Sequence, residues 1–268
     1  MNRRSSRDLT SMDRGLAVLE DLPFVVAEKV SLTTSIVQLD IRPLDQPLIY
    51  RPGQYVLLSD AEASVPQRSF SIANAPRGDG DIRLLVTRVP AGLTSSWVHA
   101  ELEEGASLLI SGPYGTFTQQ LPLDRPVLHL AAGSGLAPIL ALIEAALGQG
   151  ATSPITLFFS ARTSADVYKR DVFANWEACH GNFTFLRALT RELGAPQLGR
   201  IPALLPGLFP ELSGFSVFIA GSGGFVEACA EAVIDLGAQR FDVHTEPFFA
   251  EPHPWKSPPG AEPGVPVG

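Results

Sequence analysis

The chain has 268 residues, of which 45% are hydrophobic and 18% charged, and its formal net charge is −8. This length suits one large or two medium domains, and the acidic balance argues against a nucleic-acid-binding protein. Two cysteines, Cys179 and Cys229, are too few for a four-cysteine iron–sulfur cluster. No run of about 18 apolar residues predicts a membrane span, so we expect a cytoplasmic protein.

The first part of the chain, residues 22–121, is predicted to form a small antiparallel β-barrel. Short runs of β-branched and aromatic residues recur here, separated by proline and glycine turns, as is typical of barrels of short strands. These runs cover residues 24–30, 36–42, 50–58, 67–72, 82–88 and 107–111. Residues 1–21, before the barrel, are expected to be a flexible arm.

The run at residues 67–72 places a cation, two hydroxyls and an aromatic ring in four consecutive positions. Side chains alternate between the faces of a strand, so Arg68 and Phe70 would point one way and Ser69 and Ser71 the other. This pattern suits a large, planar, phosphorylated ligand. An edge strand with an exposed arginine and a core phenylalanine is the alternative interpretation.

A turn rich in small and hydroxyl residues, 91–95, leads into a short amphipathic helix that ends near residue 101. The first turn of a helix presents free backbone N–H groups and the positive end of the helix dipole. These features predict an anion site at this turn. A further glycine turn, Gly112–Gly115, follows the next strand.

The second part, residues 122–250, alternates strands with helices, among them a helical stretch at residues 164–179 and a strand at residues 183–189, and predicts a doubly wound parallel sheet. Ligands bind such sheets at the carboxyl ends of the strands, where two glycine turns are expected. The turn at Gly133–Pro138 resembles a dinucleotide fingerprint with proline in place of the last glycine, and a second turn lies at Gly221–Gly224. Residues 251–268 are rich in proline and glycine and are expected to form a flexible tail.

Five motifs therefore occur in a fixed order: Arg68-Ser-Phe-Ser71, Gly92-Leu-Thr-Ser95, Gly112-Pro-Tyr-Gly115, Gly133-Ser-Gly-Leu-Ala-Pro138 and Gly221-Ser-Gly-Gly224. In this order they resemble the ferredoxin–NADP reductase superfamily, and most closely the flavin domains of bacterial oxygenase reductases. The resemblance covers residues 24 to 250. It implies an N-terminal antiparallel flavin-binding barrel followed by a nucleotide-binding α/β domain, the β plus α/β arrangement that the pattern itself predicts.

The resemblance implies that Arg68 pairs with the flavin pyrophosphate, Phe70 packs on the isoalloxazine or ribityl region, and Ser71 hydrogen-bonds near flavin N5. The turn containing Gly92, Thr94 and Ser95 would bind the pyrophosphate, which favours FAD over FMN. The implied cofactor-binding set also contains Ser69, Thr87, Arg88, Gly133, Gly135, Pro138, Arg162, Gly221 and Phe248.

The chain departs from many relatives after the last core strand. Their Cys-Gly pair is replaced by Ala220-Gly-Ser222, so no thiol is present there and Ser222 or Gly221 could substitute sterically. Glu246-Pro-Phe248 resembles the end of the family's last strand, and Glu246 could act as a proton or electrostatic partner. Ser71, Ser222 and Glu246 are thus the predicted catalytic residues.

The implied reaction is hydride transfer from NADH or NADPH to FAD, followed by single-electron transfer to a separate ferredoxin or oxygenase component. Arg162 could accept a 2′-phosphate, whereas Asp166 would favour free ribose hydroxyls, and the resemblance tips the choice towards NADH. Two alternatives remain at this point. One is a flavin or ferric reductase with a small-molecule acceptor, and the other is a non-catalytic nucleotide-binding redox regulator.

Overall fold

The computed structural model describes residues 16–60, 62 and 64–249. These residues form two β-sheets, one antiparallel with six strands and one parallel with five. The expected tail at residues 251–268 and most of the expected arm at residues 1–21 lie outside the described residues. The first strand begins at Leu19, which is earlier than the predicted start of the barrel at residue 22.

The first sheet is a nearly closed barrel. Its strands are β1 (Leu19–Ser31), β2 (Ile36–Pro43), β3 (Tyr55–Asp60), β4 (Arg68–Ser71), β5 (Ile82–Thr87) and β6 (Ser107–Tyr114), in the order β4-β3-β6-β1-β2-β5. A single bridge between Ile72 and Leu84 joins the two ends of the sheet. Helix α1 (Leu93–Ala100) lies between β5 and β6 in the chain.

Alternation of side chains explains why these segments close into a barrel. On β3, Val56 and Leu58 are fully buried in the barrel core, whereas Tyr55 and Leu57, which alternate with them, are only half-buried. A strand with one apolar face must cover it, and a closed sheet does so without leaving a long free edge.

The second sheet is parallel, with helices on both faces. Its strands are β7 (Val127–Ala132), β8 (Ile155–Ala161), β9 (Phe183–Leu189), β10 (Ser216–Ser222) and β11 (Val243–Phe248), in the order β11-β10-β7-β8-β9. Its helices are α2 (Leu136–Gly148), α3 (Arg170–Cys179), α4 (Ile201–Leu208) and α5 (Gly223–Asp235). Helices α2 and α3 pack on one face, and α4 and α5 on the other.

The strand order reverses between β7 and β10, because the chain runs outward from β7 to β9 and then returns to the other side of β7. Loops diverge from such a switch point and leave a crevice at the carboxyl ends of the strands. The predicted barrel followed by a doubly wound sheet is therefore confirmed. The turns after β7 and β10 lie where such a fold is expected to bind its ligand.

One apolar core spans both sheets. Ile36, Leu85 and Phe117 from the barrel side belong to the same buried cluster as Leu142 of α2. The backbone N–H of Ala75 also donates to the α2 carboxylate of Glu144 at 2.7 Å. Burial of this shared surface stabilises one arrangement of the two sheets.

Among the described residues, no helix combines the length and apolar character needed to cross a membrane. The same part of the chain holds no cluster of three or more histidine, cysteine and acidic side chains that could bind a metal ion.

Candidate functional site

A cleft of about 240 Å³ lies at the carboxyl ends of the parallel strands, and one wall of it comes from the barrel. The barrel contributes Thr33, Ser35 and Ile36 at the β1–β2 turn. The parallel sheet contributes Ala132, Gly133, Phe159, Ser160, Ala161, Arg162, Asp166 and Thr190. Gly133 and Arg162 were predicted as site residues, whereas Thr33, Ser35 and Thr190 were not.

The glycine turn after β7 lets other groups approach its backbone closely. Gly133 has φ of +56°, a conformation that favours glycine, and a side chain at this exposed position would extend into open space. A Cβ on Gly135 would lie 2.2 Å from the carbonyl oxygen of Ala220, so only glycine lets this turn pack against β10.

Helix α2 begins directly after this turn, and Pro138 occupies its third residue. Proline fits the first turn of a helix, where an N–H group lacks an intrahelical partner in any case. The N–H of Leu136 already donates to the carbonyls of Gly133 and Ser134, so the free N–H groups are those of the turn itself, and together with the helix dipole they favour an anion at this point. The turn therefore forms a cradle that suits a dinucleotide pyrophosphate.

On the barrel, the positive charge of Arg68 is available to a ligand. Its guanidinium donates to the carbonyl of neighbouring Gln67 at 2.9 Å, and it pairs with no carboxylate among the residues that the structure describes. Ser69, next on the strand, is exposed. An arginine without a protein counter-ion suits a bound phosphate.

Helix α1 brings a second anion-binding feature to the same place. The hydroxyl of Thr94 donates to the carbonyl of Pro66, two residues before Arg68, and this contact ties the first turn of α1 to the start of β4. The N-cap of the helix is Gly92, and no side chain in the described part of the chain caps it. The first N–H groups of α1 and the Arg68 guanidinium therefore converge on one region.

The hydroxyls of Thr94 and Ser95 already have protein partners. Besides the Thr94 contact, the Ser95 hydroxyl accepts the N–H of Val89 at 3.1 Å and lies 3.2 Å from the carbonyl oxygen of Gly92. Their direct contact with a pyrophosphate stays a prediction. The structure makes their backbone N–H groups the more available donors.

Phe70 and Ser71 occupy opposite faces of β4. Phe70 packs in part against the barrel core, whereas Ser71, which is 7% exposed, is paired across the sheet with Tyr55 and shares the other face of the strand with it. The ring of Tyr55 stacks on Tyr114, with centroids 5.6 Å apart. The aromatic surface beside Ser71 is therefore formed by two tyrosines that the sequence analysis missed, although strand pairing could have indicated Tyr55.

Thr87 and Arg88 lie at the end of β5, which contacts the glycine turn. The Thr87 hydroxyl oxygen is buried and has no hydrogen-bond partner within the described residues, although buried polar groups normally have one. It is paired with Ile36, which lines the cleft. Arg88 is exposed, and its backbone N–H donates to the carbonyl of Ser35 at 2.8 Å.

Arg162 and Asp166, which bear on the choice of dinucleotide, pair with each other. The guanidinium of Arg162 lies 3.3 Å from Oδ1 of Asp166, and its side chain is 53% exposed. Oδ2 of Asp166 accepts the N–H and the hydroxyl of Thr163 at 3.1 and 3.0 Å. The cleft therefore presents a paired cation rather than a free one.

Ser222, Glu246 and Phe248 meet at the carboxyl ends of β10 and β11. Ser222 is exposed and paired with Phe248, while Glu246 is paired with Ala220. Burial raises the pKa of the half-buried Glu246 carboxyl above its usual value. Gly221 precedes Ser222 with φ of +156°. The structure thus brings the predicted residues of this edge together.

Two family models match this chain. Residues 21–119 match the oxidoreductase FAD-binding domain, and residues 130–231 match the oxidoreductase NAD-binding domain. Ferredoxin–NADP reductase B of Sorangium cellulosum is 33% identical over 75% of this chain and 86% of its own length. The chain belongs to the ferredoxin–NADP reductase family. The predicted family, FAD and nicotinamide dinucleotide are thereby confirmed, and the glycine cradle and the unpaired Arg68 fit these groups.

Oxygenase reductases are among the relatives of this chain. The ferredoxin–NAD(P)(+) reductase component of naphthalene 1,2-dioxygenase/salicylate 5-hydroxylase systems from Ralstonia sp. is 31% identical over 77% of this chain and 62% of that protein. The phenol 2-monooxygenase reductase component DmpP from Pseudomonas sp. is 34% identical over 67% of this chain and 50% of that protein. The chain thus spans half to under two thirds of the length of these two proteins.

Solved structures share the fold of this reductase. The Amycolatopsis cytochrome P450 reductase GcoB superposes with a TM-score of 0.81 at 26% identity, over 88% of this chain and 72% of that chain.

Proposed function

We propose that this reductase takes hydride from NAD(P)H onto FAD and passes electrons singly to a separate ferredoxin or oxygenase component. The observation that carries the proposal is the contact between β5 of the barrel and the glycine turn Gly133–Gly135, because it brings the flavin-binding and nucleotide-binding sides together. When bound, the nicotinamide supplies hydride and the flavin divides the electron pair into single electrons.

The chain's own residues bind and orient the cofactors. Arg68 and the N–H groups at the start of α1 would hold the FAD pyrophosphate, with Gly92 giving room at that turn. Ser71 would donate a hydrogen bond near flavin N5, beside the Tyr55 ring. Phe70, Ser69, Thr87 and Arg88 remain proposed contacts of the flavin or its ribityl and adenylate parts.

On the nucleotide side, Gly133 and Gly135 would bind the dinucleotide pyrophosphate with the first turn of α2, which Pro138 helps to begin. Gly221 and Ser222 would lie against the nicotinamide. Glu246 would hold or release a proton, since its raised pKa favours the protonated form over a wider pH range than an ordinary carboxyl. Phe248 would cover this edge of the site.

The names of the oxygenase reductases support a protein acceptor. Because this chain supplies only two cysteines, we propose that the acceptor's redox centre lies on a separate protein or domain. We also propose that the reductase acts in the cytoplasm, where a nicotinamide dinucleotide and such an acceptor would be available.

Anaerobic titration tests the proposal. FAD-reconstituted protein should lose its flavin absorbance on addition of NADH or NADPH, and the more effective of the two identifies the natural donor. A protein that binds no FAD, or whose bound FAD neither dinucleotide bleaches, would contradict the proposal.

A second measurement separates the choice of acceptor. Reduction of a ferredoxin should be efficient, and reduction of free flavin or a ferric chelate poor. Efficient reduction of free flavin or a ferric chelate, with poor reduction of ferredoxin, would favour the flavin or ferric reductase alternative. No contact among the described residues specifically supports that alternative.

A further inference from the structure

The hydroxyl of Tyr168 is buried directly behind the glycine turn. Tyr168 is 5% exposed, and its ring packs edge-on against Phe159, with centroids 5.5 Å apart and planes at 79°. Its hydroxyl donates to the carbonyl oxygen of Gly133 at 2.8 Å. Burial raises the pKa of this phenol, so the group stays protonated and remains a donor.

The carbonyl of Gly133 is held by two donors. The backbone N–H of Leu136, at the start of α2, also donates to it. A carbonyl oxygen has two lone pairs, so these contacts occupy its full capacity. The peptide group between Gly133 and Ser134 is therefore fixed from the buried side.

This fixing decides where the next N–H points. In a planar trans peptide the carbonyl of one residue and the N–H of the next point in opposite directions. Since the Gly133 carbonyl points at the buried Tyr168, the N–H of Ser134 points away from Tyr168, and the turn is exposed and lines the cleft at Gly133.

We propose that Tyr168 is a positioning residue for the dinucleotide. Its hydroxyl holds the Gly133–Ser134 peptide so that the Ser134 N–H faces the pyrophosphate. This inference rests on the proposed function, in which the glycine turn binds that pyrophosphate. Without the hydroxyl, the Gly133 carbonyl keeps only the Leu136 contact, and the Gly133–Ser134 peptide is held less firmly because the ψ angle of glycine is less restricted than that of other residues.

The Tyr168→Phe variant tests the role of the hydroxyl, because phenylalanine keeps the ring that packs on Phe159. Its matched control is Tyr50→Phe. Tyr50 is also buried, at 6% exposure, and its hydroxyl donates to a backbone carbonyl, that of Asn74, at 3.2 Å. Both variants lose one buried hydrogen bond to a carbonyl, but Tyr50 packs in the barrel core and its hydroxyl bonds to Asn74, not to the glycine turn.

The measurements are the Kd of NAD⁺, or of NADP⁺ if NADPH is the better donor, for the FAD-loaded protein, and the steady-state KM and kcat. Tyr168→Phe should raise Kd and KM about fivefold or more, the effect of one lost hydrogen bond. Flavin content and kcat should stay at the wild-type values. Tyr50→Phe should leave Kd unchanged, whatever its effect on melting temperature.

Three results would overturn the proposal or its basis, and they are distinguishable. An unchanged Kd in Tyr168→Phe, with a lowered melting temperature, would show that the hydroxyl only stabilises the fold. A Tyr168→Phe protein that does not fold would likewise assign the hydroxyl a role in stabilising the fold only. A wild-type protein that binds neither dinucleotide would contradict the proposed function itself.

Discussion

Arg68 carries a charge that no carboxylate of the described chain neutralises, and it lies where Thr94 ties the first turn of α1 to Pro66. Two anion-favouring features at one place suit the FAD pyrophosphate. The side chain and the helix N–H groups come from segments about 25 residues apart, which only the fold brings together.

We therefore expect Arg68→Ala to weaken FAD binding roughly ten- to a hundredfold, the range for a lost charge-assisted hydrogen bond. The Kd of FAD for the apoprotein and the flavin content after purification would measure this change. The matched control is Arg77→Ala, since Arg77 is an exposed barrel arginine that pairs with Asp79 at 2.8 Å. Equal flavin retention in the two variants would contradict the role of Arg68.

A second prediction concerns the choice between NADH and NADPH. A 2′-phosphate could reach Arg162 only by competing with Asp166, whose carboxylate would also repel it. Replacing Asp166 with asparagine removes that charge and keeps an oxygen for the Thr163 contacts. We expect Asp166→Asn to raise kcat/KM for NADPH about tenfold relative to NADH.

Steady-state kinetics with both donors would measure this ratio. The control is Glu192→Gln, because Glu192 accepts the neighbouring backbone N–H of Ser164 at 2.6 Å but does not pair with Arg162. A wild-type protein that already prefers NADPH, or an Asp166→Asn variant with an unchanged ratio, would contradict this interpretation.

At the scale of elements, the glycine turn depends on its contact with β10. The Cβ of an alanine at residue 135 would fall 2.2 Å from the Ala220 carbonyl oxygen, which is backbone and cannot move freely. We expect Gly135→Ala to lower the free energy of unfolding by about 1–3 kcal/mol and to weaken dinucleotide binding, because the turn must shift.

Urea unfolding and the dinucleotide Kd would measure the two effects. Gly148→Ala is the matched control, since Gly148 ends α2 and an added Cβ there would meet no heavy atom within 4 Å. That variant should be neutral or stabilised by up to about 1 kcal/mol. Wild-type stability and binding in Gly135→Ala would show that the turn is not tightly constrained.

Elements with strong periodicity or a continuous apolar run were predictable from the sequence. The strand expected at residues 183–189 has the same bounds as β9. Helix α4 was missed because Pro202 and Pro206 interrupt its pattern. Proline suits the first turn of a helix, where Pro202 lies, and Pro206 lies inside this helix of eight residues. The helical stretch expected at residues 164–179 is divided, and α3 begins only at Arg170, after Lys169 in the left-handed region.

The candidate site was predictable where a local motif carries it. Gly133 was predictable as part of the cleft because the spacing of its turn reflects backbone chemistry within a few residues, whereas the role of Arg68 stays a prediction. Thr33 and Ser35 were missed because they reach the cleft only through packing between the two sheets. The partners of the Thr94 and Ser95 hydroxyls likewise depend on tertiary contacts that no local pattern reveals.

At the scale of the whole molecule, a buried histidine should make stability depend on pH. His129 on β7 is fully buried, and neither ring nitrogen has a well-formed hydrogen bond among the described residues. Its ring is one of a row with Phe218 and His244, at centroid distances of 5.6 and 4.5 Å from Phe218. Burial lowers the pKa of His129 to about 3, and the nearby backbone of Thr156 opposes this shift only in part.

The sign of the effect follows from proton binding. Below pH 6.5 the unfolded chain protonates this imidazole while the folded protein keeps it neutral down to about pH 3. The free energy of unfolding should therefore decrease as the pH is lowered through that window, with a contribution from His129 that approaches about 1.4 kcal/mol per pH unit. We expect His129→Phe to remove this contribution, so that the variant becomes more stable relative to the wild type as the pH is lowered.

Urea unfolding of both proteins at several pH values above and below 6.5 would measure the difference. Comparison above that pH separates any change in packing from the effect of protonation. Parallel stability curves for wild type and variant would contradict the assignment.

The cleft has walls from both sheets, with Thr33 and Ser35 on one side and Gly133 on the other. A dinucleotide that fills it would therefore contact both domains and stabilise their arrangement, in addition to being the reductant. By mass action, a ligand at about a hundred times its Kd adds about 2.7 kcal/mol to the stability of the state that binds it. The protein would then be hardest to unfold when the dinucleotide is abundant and less stable when the dinucleotide is scarce.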